Sequence, residues 1–255
     1  MSTAIYLLAA LFLPLFPLSM AFNQLAARTR QPLVRAVLLL IWPQLGIGLI
    51  ALAALPPPAW FRVWALVTAA LYAYRAIALR DVGLWIGFIA TSAWSLVWLG
   101  GAVPAELALQ ALAFSAPLVL LSLLTGDLER HFGAAHTRLQ LGLASVAPRY
   151  ALALVMAILA AVATPVFPNF FTILATISSP VAGGDMGLSP LVIGSVVALV
   201  WLLWSWSGIR LLQGIVVGVG RERAVADMSR ARARAYAIGY LILAGAGLEL
   251  AGVLL

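Results

Sequence analysis

The chain contains no lysine and no cysteine, and only 9% of its 255 residues are charged. The absence of cysteine excludes disulfides, thiolate catalysis, haem attachment and iron–sulfur ligation by this chain. The absence of lysine leaves fifteen arginines as the basic side chains. Because 64% of the residues are hydrophobic, an ordinary soluble domain is also excluded. The composition therefore predicts a membrane protein.

Eight apolar stretches are long enough to cross a bilayer, which requires about 20 helical residues. They are Ile5–Leu25, Leu33–Leu55, Ala59–Leu79, Val82–Gly101, Leu107–Thr125, Tyr150–Ser178, Pro190–Val217 and Tyr236–Leu254. We therefore predict an all-α integral membrane protein in which residues 1–255 form one membrane domain with about eight transmembrane helices.

The sixth predicted span, Tyr150–Ser178, is interrupted by Pro165 and Pro168. A helix broken inside the membrane must satisfy its freed backbone groups from neighbouring helices or water, and such breaks often lie at transport sites. We predict a broken helix with Pro165, Pro168 and Asn169 at the break. A simple kink and two short spans are the alternatives.

Thirteen of the fifteen arginines fall in alternate loops, whereas the intervening loops carry few charges. These thirteen are Arg28, Arg30, Arg35, Arg75, Arg80, Arg130, Arg138, Arg149, Arg221, Arg223, Arg230, Arg232 and Arg234. The positive-inside rule then predicts a multi-pass protein of the cell inner (cytoplasmic) membrane, with arginine-rich loops in the cytoplasm and both termini outside. Anionic headgroups beside these loops account for the net charge of +7, so lipid is an expected partner and nucleic acid is not.

Motifs of soluble enzymes are missing: there is no P-loop, dinucleotide fingerprint, H-E-x-x-H or nucleophile elbow. We therefore predict no catalytic residue, no cofactor and no enzymatic activity of the chain on its own. Membership of a redox- or transport-coupled complex stays open. Four residues of types that bind metals lie in one charged connecting loop: Asp127, Glu129, His131 and His136. An ordinary polar loop is favoured there over a metal site.

Polar groups inside a membrane are the default functional candidates. The candidate ion path consists of Arg210, Glu249, Gln44 and Thr172. Arg210 and Glu249 each lie close enough to a span end to reach the headgroups. The sequence therefore reveals no continuous chain of acids and bases.

Several local patterns occur in an order that is typical of one family. They are Phe12–Ser19 (FLPLFPLS), Pro32, Leu71-Tyr72 with Leu79–Val82, Ala163–Phe170 (ATPVFPNF), Arg210–Gln213 with Gly218, and Asp227–Ser229. Together they resemble the second half of the antiporter-like membrane subunits of respiratory complex I and of Mrp-type sodium/proton antiporters. The resemblance covers nearly the whole chain and implies a central broken helix. It also implies that the preceding half of the family fold is missing.

Neutral residues stand where the resemblance implies titratable groups. The expected lysines fall on Phe12, on Gln44 or Leu45 and on Gly83, the expected histidines on Ser19 and on Ser115 or Ala116, and the charged residue of the broken helix on Ile173. Neutral side chains have no proton to exchange, so we predict that the pumping mechanism of the family is lost.

Three functions follow as hypotheses. The first is a non-pumping membrane subunit that scaffolds or anchors a larger complex, with other membrane or membrane-associated subunits as partners. Its inner loops, Gly126–Arg149 and Gly220–Arg234, are candidate partner surfaces or ordinary solvated loops. The second is an active proton or cation translocator, including a partner in a bicarbonate-accumulating complex. The third is an unrelated transporter or quinone-site protein that uses the Pro165–Thr172 break.

Overall fold

The structure is a computed structural model that describes residues 2–29, 31–53, 57–101, 103–133, 135–137, 142–178, 189–217 and 227–254. Its described elements are helices, apart from one isolated β-bridge between Asp81 and His136. The helices are α1 Ser2–Phe12, α2 Ser19–Arg28, α3 Pro32–Ala51, α4 Ala59–Ala76, α5 Val82–Leu96 with a 3-10 turn Val97–Leu99, α6 Pro104–Phe132, α7 Leu143–Val146, α8 Pro148–Ala161, α9 Pro168–Ser178, α10 Pro190–Ile215 and α11 Arg230–Leu254.

Five segments of the described chain are long and apolar enough to cross a membrane. They are Pro32–Ala51, Val82–Leu99, Pro104–Phe132, Pro190–Ile215 and Arg230–Gly252. Large apolar side chains are exposed on these helices, as a lipid-facing or subunit-facing surface requires. The prediction of an all-α, multi-pass membrane protein is therefore confirmed, whereas the count of eight crossings stays a prediction.

Two of the predicted spans are each divided into two short helices. The predicted break in the sixth span is confirmed, because α8 ends at Ala161 and α9 begins at Pro168. The prediction of one continuous helix over Ile5–Leu25 was wrong, because α1 ends at Phe12 and α2 begins at Ser19. Pro14 and Pro17 lie between them and lack the N–H that a continuing helix would donate. Each short helix is about 15–21 Å long, so neither half alone crosses the hydrocarbon layer of about 30 Å.

Two predicted loops contain more helix than we expected. The fifth span was predicted to end at Thr125, but α6 continues to Phe132 and places Asp127 and Glu129 on a helix. With 29 residues, α6 is about 44 Å long and extends beyond the hydrocarbon layer. Likewise, α11 begins at Arg230 inside the predicted Gly220–Arg234 loop. Residues 134, 138–141 and 220–226 of these loops lie outside the described residues.

Arginine-bearing connections meet at one end of the molecule, which we call the arginine-rich end. Arg35 pairs with Glu129 at 3.1 Å, and Arg149 lies 3.9 Å from Asp227. The backbone joins the same segments, because the Thr137 N–H donates to the Arg80 carbonyl at 2.9 Å. Which side of the membrane this end faces stays a prediction.

The core between the helices is rich in aromatic side chains. α3 packs on α1 and α6, α4 on α5 and α10, and α9 on α10 and α11. Trp85, Trp94 and Trp204 are among the largest fully buried side chains. Their indole N–H groups need acceptors inside this core. Other tryptophans find such acceptors in the backbone carbonyls of the two helix breaks.

Candidate functional site

The break between α8 and α9 satisfies its freed carbonyls with two side chains. Asn169 Nδ2 donates to the Ala160 carbonyl at 2.7 Å and to the Ala161 carbonyl at 3.3 Å. Trp201 Nε1, from α10, donates to the carbonyls of Val162 and Ala163 at 3.1 and 3.0 Å. The last carbonyls of a helix have no intrahelical partner. These two side chains therefore supply donors to the last carbonyls of α8 and to the two carbonyls that follow it.

Two residues with positive φ reverse the chain at this break. Ala163 has φ 58° and Val166 has φ 89°. A β-branched residue at positive φ is a strained exception. The strain lies beside Phe167 and Pro168, where the chain re-enters a helix, and Asn169 follows within the first turn of α9.

The break between α1 and α2 receives indole N–H groups from three different helical segments. Trp42 of α3 donates to the Leu11 carbonyl at 3.2 Å, and Trp98 of the 3-10 turn donates to the Leu13 carbonyl at 3.0 Å. Trp64 of α4 donates to the Phe16 carbonyl at 2.6 Å. Ser95 Oγ lies 3.2 Å from the Pro14 carbonyl and 2.7 Å from the Thr91 carbonyl, and its single hydroxyl hydrogen serves one of them at a time. The indole N–H groups thus satisfy the carbonyls of Leu11, Leu13 and Phe16.

The remaining buried tryptophans bond to serines. Trp85 donates to Ser207, Trp94 to Ser115 and Trp204 to Ser92, at 3.0, 3.0 and 2.9 Å. Seven of the nine tryptophans thus donate to an internal oxygen. Each of the three tryptophan–serine bonds joins two different helices and so helps to fix their relative positions. The indole N–H takes part as a donor only.

A smaller hydroxyl network lies beside the first break. Ser19 Oγ and Tyr72 Oη are 2.7 Å apart, and Asn23 Nδ2 donates to Thr91 Oγ1 at 3.0 Å. The network consists of hydroxyl and amide groups and contains no carboxylate, imidazole or guanidinium group.

Ionisable side chains are scarce in the interior that the structure describes. Arg62 and Asp127 are the buried charged residues there. Arg62 lies in the first turn of α4, and Asp127 lies in the last two turns of α6. Asp127 accepts hydrogen bonds from Arg130 and from the Tyr236 hydroxyl, the latter at 3.2 Å. Both charges are therefore at helix ends, and the middle of the described interior is neutral.

The residues of the predicted ion path are separated in the structure. Arg210 and Glu249 are exposed on α10 and α11. Gln44 donates to the Ala108 carbonyl at 3.2 Å, whereas Thr172 is buried and donates back to the Pro168 carbonyl at 3.1 Å. Their role in ion movement stays a prediction.

The predicted break residues have different surroundings. Pro168 and Asn169 are buried at the start of α9, and Pro165 is exposed. Asn169 Oδ1 is buried without a hydrogen-bond partner, although its amide nitrogen is used twice. His131, from the predicted polar loop, contacts the Asp127 carbonyl at 2.9 Å and Tyr150 Oη at 3.2 Å.

Positions where the resemblance implied titratable groups are packed as neutral residues. The ring of Phe12 lies 5.1 Å from that of Trp42. Ser19 bonds to Tyr72, Ser115 accepts from Trp94, and Ile173 is fully buried. Our sequence reasoning missed the first break and the bonds that close both breaks. Two prolines within an apolar run, Pro14 with Pro17, were the available signal, since the same pattern identified the second break.

Comparison with solved structures identifies the fold. The chain is similar to a chain of respiratory complex I from Thermus thermophilus, with a TM-score of 0.75 and 19% identity over 99% of this chain and 58% of that one. A chain of the Mrp complex from Dietzia sp. DQ12-45-1b gives 0.74 and 18%, over 99% and 55%. A chain of the archaeal membrane-bound sulfane sulfur reductase, a respiratory membrane complex, gives 0.80 and 15%, over 97% and 53%.

The chain thus spans a little more than half the length of each of these solved chains. No protein-family profile and no curated protein sequence matches it. At these identities the similarity concerns the fold. The predicted resemblance to antiporter-like membrane subunits is confirmed at that level, and the chain has the fold of subunits from large membrane complexes.

Proposed function

We propose that this protein is a non-pumping, antiporter-like membrane subunit that scaffolds or anchors a larger membrane complex. The observation that supports the proposal is the neutral middle of the interior that the structure describes, where tryptophan N–H groups bond to carbonyls of both helix breaks. A pump needs groups whose protonation changes as neighbouring charges move. Indole, hydroxyl and amide groups stay neutral throughout the physiological pH range.

Breaks whose carbonyls are bonded to neighbouring helices favour a packing role. A carbonyl that accepts an indole N–H has one of its two lone pairs committed to another helix, and it is therefore less available to a passing cation. Exposed apolar side chains on α10 and α11, such as Leu202, Trp206 and Leu241, offer surfaces for neighbouring subunits. The solved chains of the same fold belong to multi-subunit assemblies, which supports a partner for this chain as well.

The first test is to tag the protein at its native locus, extract it in mild detergent and identify the proteins that copurify. We expect a stable complex with other membrane or membrane-associated subunits. Vesicles that contain the purified protein, alone and with those subunits, should then be assayed with a pH-sensitive dye. The chain should add no proton flux beyond that of its partners. Recovery of the chain without any partner would contradict the proposed scaffold function.

Two matched variants connect this test to the breaks. Trp201→Phe removes the N–H that serves Val162 and Ala163, whereas Trp206→Phe makes the same change at a side chain that is 63% exposed on the same helix. We expect Trp201→Phe to lower the thermal stability of the purified chain, and with it the yield of the complex, whereas Trp206→Phe, on the proposed subunit surface, should preserve the thermal stability of the purified chain. Equal thermal stability of the two variants would show that the hydrogen bonds at the second break do not stabilise the protein.

An active proton or cation translocator is the alternative, including a partner in a bicarbonate-accumulating complex. Arg210 and Glu249 favour it, because they are exposed on helix faces where another subunit could complete a path. Proton flux in the assembled complex that Glu249→Gln or Arg210→Gln abolishes, with assembly intact, would support this alternative against the scaffold.

The proposal includes one membrane domain of eight crossings in the inner membrane, with the arginine-rich end in the cytoplasm. Because the chain has no cysteine, single cysteines can be introduced without further engineering. Thr137 lies at the arginine-rich end, and Pro57 lies just before α4. The two test variants are Thr137→Cys and Pro57→Cys. In intact cells, a membrane-impermeant maleimide should label Pro57→Cys and spare Thr137→Cys. The reverse pattern would invert the topology.

A further inference from the structure

A groove of about 650 Å³ lies between α8, the break that follows it, and α11. One end is at Arg149, and the other is at Pro165 and Val166 in the break. Between these ends its walls are mainly apolar, with Leu152, Met156, Phe167, Ala237 and Leu241 among the lining residues. Its volume lies within the range of specific small-molecule sites.

The length of the groove fits one leaflet of a bilayer together with its headgroups. α8 has 14 residues and is therefore about 21 Å long, compared with about 20–22 Å for half of a bilayer that includes the headgroup region. With the arginine-rich end placed at the headgroups, as the positive-inside rule expects, the break comes near the middle of the membrane. An extended hydrocarbon chain that enters at the headgroups would lie along this path.

The mouth of the groove carries an excess of positive charge. Arg149 and Arg232 keep 43% and 47% of their side-chain surface exposed, although they lie 3.9 Å from Asp227 and 3.7 Å from Asp127. Arg130 bonds to Asp127, and Arg230 and Arg234 lie beside Arg232 in the first turns of α11. These five arginines and two aspartates sum to three positive charges, and the nearby pair of Arg35 with Glu129 adds none.

We infer that this groove binds one acyl chain of an anionic phospholipid, with the phosphate at Arg149. Anionic headgroups are attracted to arginine clusters at a membrane surface. A quinone fits less well, because its head would need a polar anchor and the deep end offers Pro165 and Val166. The amide nitrogen of Asn169 is already committed to Ala160 and Ala161. The inference does not depend on the proposed scaffold function.

The test is native mass spectrometry of the purified chain with equal amounts of phosphatidylglycerol and phosphatidylcholine that carry the same acyl chains. We expect one retained phosphatidylglycerol and a preference on the order of tenfold, since each arginine near the surface contributes to anionic lipid binding. Arg149→Gln should reduce that preference roughly fivefold for the loss of one such contact. Glycerol phosphate, added without acyl chains, should not displace the lipid.

A matched pair of variants tests the groove itself. Ala237→Phe places a ring in the groove, whereas Ala235→Phe makes the same change at an exposed position of α11 outside it. Only Ala237→Phe should lose the lipid. A photoactivatable phosphatidylglycerol on the unmodified chain should label α8 near Leu152 and α11 near Leu241. This readout decides the question if the bulky variant fails to fold.

Several results would overturn the inference. Equal retention of the two lipids, or retention that Ala237→Phe does not change, would show only general lipid contact. Displacement by glycerol phosphate would show a headgroup-anion site that does not need the groove. A retained quinone, or a subunit helix cross-linked across the groove in the native complex, would identify a different occupant.

Discussion

The two helix breaks close the same kind of gap with different groups. At the first break, the freed carbonyls receive N–H groups from Trp42, Trp64 and Trp98, which belong to three distant segments. At the second, Asn169 comes from the helix that follows the break, and Trp201 comes from α10. The first break therefore depends on the assembly of neighbouring helices, whereas the second is partly closed by its own local sequence.

The breaks also differ in backbone strain. Ala163 and Val166, at the second break, are the described non-glycine residues with positive φ. Exposure is similar, because Val166 is 46% exposed and Phe16 of the first break is 40% exposed, but Val166 also borders the groove. The second break is consequently the strained one, and variants at each should reveal this difference.

The largest effect is expected where α11 crosses the second break. A Cβ at Gly247 would lie 2.1 Å from the Val166 carbonyl oxygen, whereas a Cβ at Gly245 would meet nothing within 4 Å. Gly247→Ala must therefore displace backbone, and we expect a loss of about 3 kcal/mol of unfolding free energy. Gly245→Ala, measured by thermal unfolding in the same detergent, should be neutral or slightly stabilising. A tolerated Gly247→Ala would show that α11 does not rest on the break.

Trp98→Phe should give the next largest loss. It removes the N–H that serves the Leu13 carbonyl in a site where Trp98 is 4% exposed. An orphaned buried carbonyl costs about 1–3 kcal/mol, so we expect a loss of about 2 kcal/mol. Trp60→Phe, at a ring that is 49% exposed, is the control and should change the unfolding temperature little. Similar losses from both variants would mean that ring size, and not the hydrogen bond, stabilises the first break.

Asn169→Leu should cost less than Trp98→Phe. The substitution leaves the Ala160 and Ala161 carbonyls without their side-chain donor, but it also removes the unpartnered Oδ1 from the interior. Because the second effect offsets part of the first, we expect a net loss of about 1 kcal/mol of unfolding free energy. Asn169→Ala, which adds a cavity, should lose more. If Asn169→Leu lost more unfolding free energy than Trp98→Phe, the second break would depend more strongly on its hydrogen bonds than the first, contrary to our expectation.

The smallest effect is expected at Val166, and it should be stabilising. At φ 89° a valine is strained, and glycine relieves this strain. Relief of roughly 1–2 kcal/mol is largely offset by the flexibility that glycine adds to the unfolded chain, so we expect a gain of a few tenths of a kcal/mol. Val162→Gly, at φ −86°, should instead destabilise. A clear loss for Val166→Gly would mean that its side chain packs productively at the groove.

Some of this architecture could be predicted from local patterns. Pro165 and Pro168 indicated the second break because proline lacks a backbone N–H, and its position is confirmed. The same logic applied to Pro14 and Pro17, but the long apolar run around them suggested a continuous span. The alternation of arginines also anticipated which connections would meet, since Arg35, Arg80 and Arg149 lie at one end.

The partners of the polar groups could not be predicted in this way. Trp98 and Leu13 are separated by 85 residues, and Trp85 and Ser207 by 122. Mid-span tryptophans such as Trp201 and Trp204 lie within an apolar run, and hydropathy does not reveal an acceptor for an indole N–H. The extension of α6 through Asp127 was missed for a related reason, because its carboxylate is satisfied by Tyr236 from another helix.

By itself, the sequence determined the membrane environment, the helical class and the scarcity of charged residues in its apolar segments, because these depend on which side chains are present and how they are spaced. The tertiary structure decided which groups satisfy one another: indoles reach broken-helix carbonyls, and α8 and α11 leave a groove beside the second break. The physical reason is that hydrophobicity acts on each segment separately, whereas a buried hydrogen bond requires two segments in one particular arrangement.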